Sequence, residues 1–129
     1  LLSDILLSLD DKYLYFSCWL HGDVRQYDIS DPAHPKLVSQ VFLGGQVSNE
    51  NLEVIEDKEL KEPSEPVILK GKRLYGAPQM LQLSLDGKRL YGGWIVKLDV
   101  DTEHGGMKLD PDFLEHMGSS DAEICNFST

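Results

Sequence analysis

An eight-residue string occurs twice in this chain, and that repetition limits the fold more than any other feature. Ser8-Leu9-Asp10-Asp11-Lys12-Tyr13-Leu14-Tyr15 returns 76 residues later as Ser84-Leu85-Asp86-Gly87-Lys88-Arg89-Leu90-Tyr91, with six of the eight positions identical. Each copy reads as an apolar strand, a tight turn and a second strand. Asp-Asp and Asp-Gly tolerate the positive φ that such a turn demands. A further Asp-bearing strand follows each copy, Tyr27-Asp28-Ile29-Ser30-Asp31 in the first and Leu98-Asp99-Val100-Asp101 in the second. Strand, turn, strand, turn, strand, repeated, is the signature of a β-propeller blade or a related array.

The pattern of apolar residues agrees with strands. Ile5, Leu7 and Leu9 share one face of an extended Asp4–Leu9 segment. In Tyr13–Trp19 both faces are apolar or aromatic, which predicts a strand flanked on both sides. Gln40–Leu43 ending at Gly44-Gly45, Val67–Leu69 running into Gly71, and Met80–Leu85 predict further strands. The one helical window is Glu53–Lys61, closed by Pro63 and Pro66. The two copies differ in length, since 13 residues separate Tyr15 from Asp28 but only 8 separate Tyr91 from Asp99. The second blade is therefore expected to be incomplete, with too little chain around Gly92-Gly93 for a full hairpin.

Charge narrows the partners. A net charge of −10 over 129 residues argues against nucleic acid, which needs clustered Lys and Arg, and against an anionic membrane surface. Seven carboxylates stand against two lysines between Glu50 and Glu65, so half of that excess sits in one solvated excursion between strands. The excursion lacks the ligand rhythm of a calcium loop. No apolar run reaches the roughly 20 residues of a membrane span. Two cysteines, Cys18 and Cys125, are too few for a disulfide framework and fit a reducing compartment. The opening Leu1-Leu2-Ser3-Asp4 has no basic region of a signal peptide and reads as the interior of a longer protein.

Candidate chemistry concentrates at His21, in Phe16-Ser17-Cys18-Trp19-Leu20-His21-Gly22-Asp23. A neutral imidazole at a turn after an apolar strand is a metal ligand in waiting, and Cys18 three residues earlier would make half of a soft metal site. The same residues also read as a histidine decorating a turn and a small buried hydrophobe. His34, His104 and His116 read as surface histidines, and Cys125 lies in a polar tail. No nucleophile-elbow or zinc-protease motif is present.

Longer strings carry a resemblance. Asp4–Ser17, Trp19–Pro32, Gln40–Gly45, Lys70–Arg73, Pro78–Tyr91, Asp99–Thr102, Gly105-Gly106 and Leu109–Leu114, in that order over residues 1–114, resemble the selenium-binding protein family. The resemblance implies an all-β fold, a partial β-propeller of about two blades from a seven-bladed parent. Residues 1–114 would be its C-terminal blades, 50–66 the acidic excursion between strands, and 115–129 a divergent, disordered tail. It implies a methanethiol oxidase that turns methanethiol, O2 and water into hydrogen sulfide, formaldehyde and hydrogen peroxide. The alternative is a non-catalytic selenium-binding or protein-trafficking propeller. Copper is the implied cofactor, held by channel histidines, and the histidine of Trp-Leu-His-Gly-Asp is His21 here. Selenium would be bound by the parent at a cysteine upstream of this chain, a role that neither Cys18 nor Cys125 inherits. The implied partners are the small thiol and the remaining blades. The implied location is the cytosol, with the nucleus and the membrane periphery in addition. This chain departs from the family in lacking a long tract after Tyr91, in its ending after Asp121, and in the histidines and cysteine that lie upstream.

Overall fold

Two turns built from the same atoms open the two halves of the fold. In the first, the Ser8 hydroxyl donates to Asp10 Oδ1 at 2.6 Å, and that oxygen also accepts the Lys12 amide at 3.1 Å. Ser8 Oγ in turn accepts the Tyr13 amide at 2.9 Å. In the second, Ser84 donates to Asp86 Oδ1 at 2.5 Å, which accepts the Lys88 amide at 3.0 Å, while Ser84 Oγ accepts the Arg89 amide at 3.1 Å. Asp11 (φ 56°) and Gly87 (φ 71°) take the left-handed position, as the repeated string predicts. Short polar side chains here satisfy backbone donors that no ladder reaches.

The protein is described here by a computed structural model covering residues 2–44, 65–74, 78–92 and 96–113. The Glu53–Lys61 helix, most of the 50–66 excursion and the 115–129 tail lie outside the described residues. Among those residues every element is a strand: β1 Leu2–Leu7, β2 Tyr13–Cys18, β3 Asp23–Asp28, β4 Lys36–Phe42, β5 Ile68–Leu69, β6 Lys72–Arg73, β7 Gln82–Leu83, β8 Arg89–Gly92, β9 Val96–Val100 and β10 Met107–Leu109. They form two antiparallel four-stranded sheets, ordered β1-β2-β3-β4 and β10-β9-β8-β7, and a small β5-β6 hairpin. The chain thus forms two meander sheets of the same order, the all-β partial propeller that the repeat implies. No helix among the described residues is long and apolar enough to cross a membrane.

The shortened second copy keeps its hairpin. Tyr13↔Asp28, Leu14↔Tyr27, Tyr15↔Gln26 and Phe16↔Arg25 in the first sheet correspond one for one to Arg89↔Asp99, Leu90↔Leu98, Tyr91↔Lys97 and Gly92↔Val96 in the second. The missing length comes off the tip, so the second blade is short but has all four strands. The expectation of too little chain for a hairpin is corrected in that respect. A strand over Met80–Leu85 is also corrected, because only Gln82–Leu83 is extended in a ladder. Met80 sits at φ 54°, and the Leu81 amide donates to Asp4 Oδ2 of the other sheet at 2.6 Å instead of to a neighbouring strand.

The core lies between the sheets. Tyr13, Tyr15 and Val24 of the first sheet meet Leu81, Leu90, Val96, Leu98 and Val100. Polar bonds stitch the same interface. Gln26, fully buried, accepts the Gly106 amide at 2.8 Å through Oε1 and donates to the Tyr15 hydroxyl at 3.3 Å. Ser39 Oγ accepts the Met107 amide at 3.0 Å, and Ser3 donates to the Pro78 carbonyl at 2.6 Å. The opposite face of the first sheet is apolar too. Ile5 and Leu7 are 61% and 53% exposed there, opposite Phe16 and Leu14 in the β1–β2 register, and Phe16 stacks on Tyr27 at 5.4 Å.

Two outcomes follow. The Ser84 hydroxyl, before all else, holds the Asp86 carboxyl down to about 2, and Ser8 lowers Asp10 in the same way. Both carboxyls bind fewer protons folded than unfolded. Their stabilisation is full above the ordinary value of 3.8 and is lost as pH falls through each lowered folded value, about 2 for Asp86. Denaturant midpoints measured from pH 5 down to pH 2 will fall, and the Ser8→Ala, Ser84→Ala double variant will show a shallower fall. Separately, Gln26→Ala leaves the Gly106 amide and the Tyr15 hydroxyl without their partner at a buried seam. That variant will lose about 1–3 kcal/mol of unfolding free energy by the same measurement.

Candidate metal centre

The tip of the β2–β3 hairpin combines a tight turn with buried polar side chains. Cys18 ends β2 and pairs in register with Asp23, which begins β3, leaving Trp19–Gly22 as the turn. Gly22 takes φ 75°, a conformation costly for any residue with a Cβ. Its amide donates to the Cys18 carbonyl at 2.8 Å, and its carbonyl accepts the Leu43 amide at 2.7 Å. The turn is thereby closed on itself and fastened to the chain just past β4.

Asp23 is 0% exposed. Its Oδ2 accepts from Arg25 Nε at 2.7 Å and from Gln40 Nε2 at 2.5 Å. Arg25 lies two residues along the same strand face, and Gln40 is the register partner of Arg25 on β4. Two atoms at the tip have no such partner, since Asp23 Oδ1 and His21 Nδ1 are buried without a hydrogen bond. An unmet buried polar atom costs roughly 1–3 kcal/mol, so two of them at one turn call for an explanation. Cys18 is buried beside them. Its thiol is pushed up to about 11, first by burial and then by the Asp23 charge, with Arg25 opposing. One donor atom each from Cys18, His21 and Asp23 lies within 4.8 Å of the others.

Sulfur, imidazole nitrogen and carboxylate oxygen together suit a soft to borderline d-block ion such as copper or zinc, and not a hard ion that demands all-oxygen ligands. The unpartnered nitrogen and oxygen are contacts that a metal could satisfy, and the donor set is one that such an ion accepts. The structure therefore places His21 beside Cys18, the two residues the sequence singles out, and adds Asp23. From sequence alone, His21-Gly22-Asp23 reads as a turn. The signal for Asp23 was the alternation of Asp23 and Arg25 on one face of a strand whose other face is core.

The remaining candidates lie elsewhere. His34 and His104 are exposed at the β3–β4 and β9–β10 turns, as surface histidines should be. Their Nδ1 atoms sit 2.9 Å from Asp31 and 3.5 Å from Asp101, an Asp-x-x-His turn present in both sheets. His116 and Cys125 fall outside the described residues. Among the described residues the second sheet shows no such cluster, and the sequence between its paired Gly92 and Val96 holds no Cys, His, Asp or Glu.

Comparison with known proteins adds the following. A family model described as "56kDa selenium binding protein (SBP56)" matches residues 1–93. Proteins named methanethiol oxidase from Xenopus tropicalis and Homo sapiens are each 52% identical to this chain over 92% of its length. Selenium-binding protein 2 of Mus musculus is 51% identical over the same share. The chain spans 29% of the length of each of these relatives. Among solved structures, a hypothetical selenium-binding protein from Sulfolobus tokodaii matches with a TM-score of 0.64 at 37% identity, over 88% of this chain and 25% of that one.

The buried thiol makes its own prediction for the metal-free protein. At neutral pH, Cys18 will react with iodoacetamide far more slowly than an exposed cysteine, because almost none of it is thiolate. Asp23→Asn removes the charge that disfavours the thiolate, so alkylation of Cys18 will quicken at fixed pH. Peptide mapping by mass spectrometry reads Cys18 separately from Cys125.

Proposed function

This chain belongs to the selenium-binding protein family, and from that premise we propose that it forms part of a methanethiol oxidase, the role named for its 52%-identical relatives. The reaction combines methanethiol with O2 and water and gives hydrogen sulfide, formaldehyde and hydrogen peroxide. Bound copper would supply the exchange of electrons between thiol and O2. His21 is the residue of this chain assigned to hold it. The observation that carries the assignment is the buried, unpartnered Nδ1 of His21 in a turn fixed at both ends.

The other residues at the tip act on geometry and charge. Gly22 and Leu43 fix the turn that presents His21, and Arg25 with Gln40 anchors Asp23 beside it. The cluster shares its sheet face with Ile5, Leu7, Leu14 and Phe16, so a blade packed on those apolar side chains also walls off the metal from bulk water. The remaining blades supply the other copper ligands and the cysteine for selenium. The protein acts in the cytosol, reaching the nucleus and the membrane periphery, and subcellular fractionation checks that placement.

A second reading is a non-catalytic selenium-binding or trafficking propeller. What favours it is that Selenium-binding protein 2 of Mus musculus is 51% identical over the same 92% of the chain, so identity does not separate the two roles.

In the protein with all its blades, His21→Ala will lower bound copper, measured by elemental analysis, and slow the release of sulfide and peroxide from methanethiol at least about tenfold. Unchanged copper and turnover would remove His21 from the centre. Selenium retention without sulfide release by the unaltered protein would establish the second reading instead.

A further inference from the structure

We propose that Cys18 and Asp23 bind the same ion as His21, so that one hairpin holds copper through one sulfur, one nitrogen and one oxygen. The inference rests on the reading of His21 as a metal ligand and adds two donors from the same hairpin to those the other blades supply. It assigns ligand roles to a cysteine and a carboxylate that the resemblance leaves without any.

Three observations carry it. The first is proximity by construction. Register pairing puts Cys18 and Asp23 side by side on one face, and a four-residue turn returns His21 to them, so that the three donor atoms lie within 4.8 Å of one another. Metal–ligand bonds of about 2.0–2.3 Å set tetrahedral donors about 3.5 Å apart, so loading draws the three inward by about an ångström.

The second observation is how the Asp23 carboxylate is held. One oxygen is anchored by Arg25 and Gln40 while the other, equally buried, has no partner. A carboxylate oriented through one oxygen by neighbours and left open at the other is the arrangement of a supported metal ligand. A purely structural ion pair at 0% exposure would engage both oxygens.

The third is an internal control. The second sheet pairs β8 with β9 in the corresponding register, from Arg89↔Asp99 to Gly92↔Val96, and the sequence between Gly92 and Val96 contains no Cys, His, Asp or Glu. The hairpin therefore does not need this cluster in order to form. Binding is proton-balanced, since the Cys18 thiol becomes a thiolate and its proton leaves to solvent, with no change in oxidation state.

Cobalt(II) is the probe, added to the 129-residue chain carrying Cys125→Ser so that Cys18 is its one thiol. One equivalent will bind and give near-ultraviolet thiolate-to-metal charge-transfer absorption. Cys18→Ser and Cys18→Ala will each abolish that absorption and weaken affinity about 10–100-fold, with unchanged far-ultraviolet circular dichroism showing that the sheets persist. Asp23→Asn will weaken affinity to a similar degree while the charge-transfer absorption remains. If cobalt binds with no charge-transfer absorption, and with the same affinity in both Cys18 variants, the inference is wrong. The reading of His21 then still stands, provided His21→Ala loses the ion. Absence of cobalt binding at the unaltered tip, both in this chain and in the protein with all its blades, overturns both.

Discussion

The register of β2 against β3 is the constraint on which the rest of this structure depends. Side chains alternate along a strand, so a slip of one residue would exchange the two faces of the hairpin. In the observed register Tyr15, Val24 and Gln26 point into the seam between the sheets, while Phe16, Cys18, Asp23 and Arg25 share the opposite face. A slip would bury the Asp23–Arg25 pair among the core leucines and expel Gln26 from its bond to Gly106. Both ends of β2 are secured against this. The Ser8–Asp10 turn determines where β2 begins, and Gly22, bonded to both Cys18 and Leu43, determines where it turns back.

Much of that order was legible in the residues. The repeated Ser-Leu-Asp-x-Lys string encodes a turn, and the structure draws the same three side-chain bonds from it in each copy. The alternation of Tyr13–Trp19 foretold a strand between neighbours, and β2 lies between β1 and β3 with its Tyr13 and Tyr15 face in the core. Failures came where tertiary bonds outweighed local pattern. Met80–Leu85 alternates as well as any true strand here, yet Met80 in the left-handed region and the Leu81–Asp4 bond cut it to two residues. Counting residues between Tyr91 and Asp99 rightly gave a shortened second blade, though a count does not say where the loss falls. Taken from the tip, five residues leave the pairing below them intact.

The candidate centre was half legible. His21 and Cys18 stand out by residue type and by their spacing of three. Asp23 did not, because Asp after Gly is an ordinary turn residue and nothing local distinguishes one that opens a strand. Only the Cys18–Asp23 pairing, a consequence of turn length, brings the carboxylate to the other two donors. The site is therefore a product of register before it is a motif.

Comparing the two sheets separates what the scaffold requires from what it carries. Both make the Ser-x-Asp turn, the Asp-x-x-His turn and the same ladder, so these belong to the fold. The cluster at the first tip does not, and it is unfavourable in isolation, with a buried carboxylate half engaged and a ring nitrogen unmet. A hairpin selected for stability alone would have no reason to bury a half-engaged carboxylate beside an unmet ring nitrogen. Local conflicts of this kind gather where a protein binds something, because a ligand turns the unmet atoms into its own contacts. An ion seated among Cys18, His21 and Asp23 would convert the least favourable part of the first sheet into its most tightly held part.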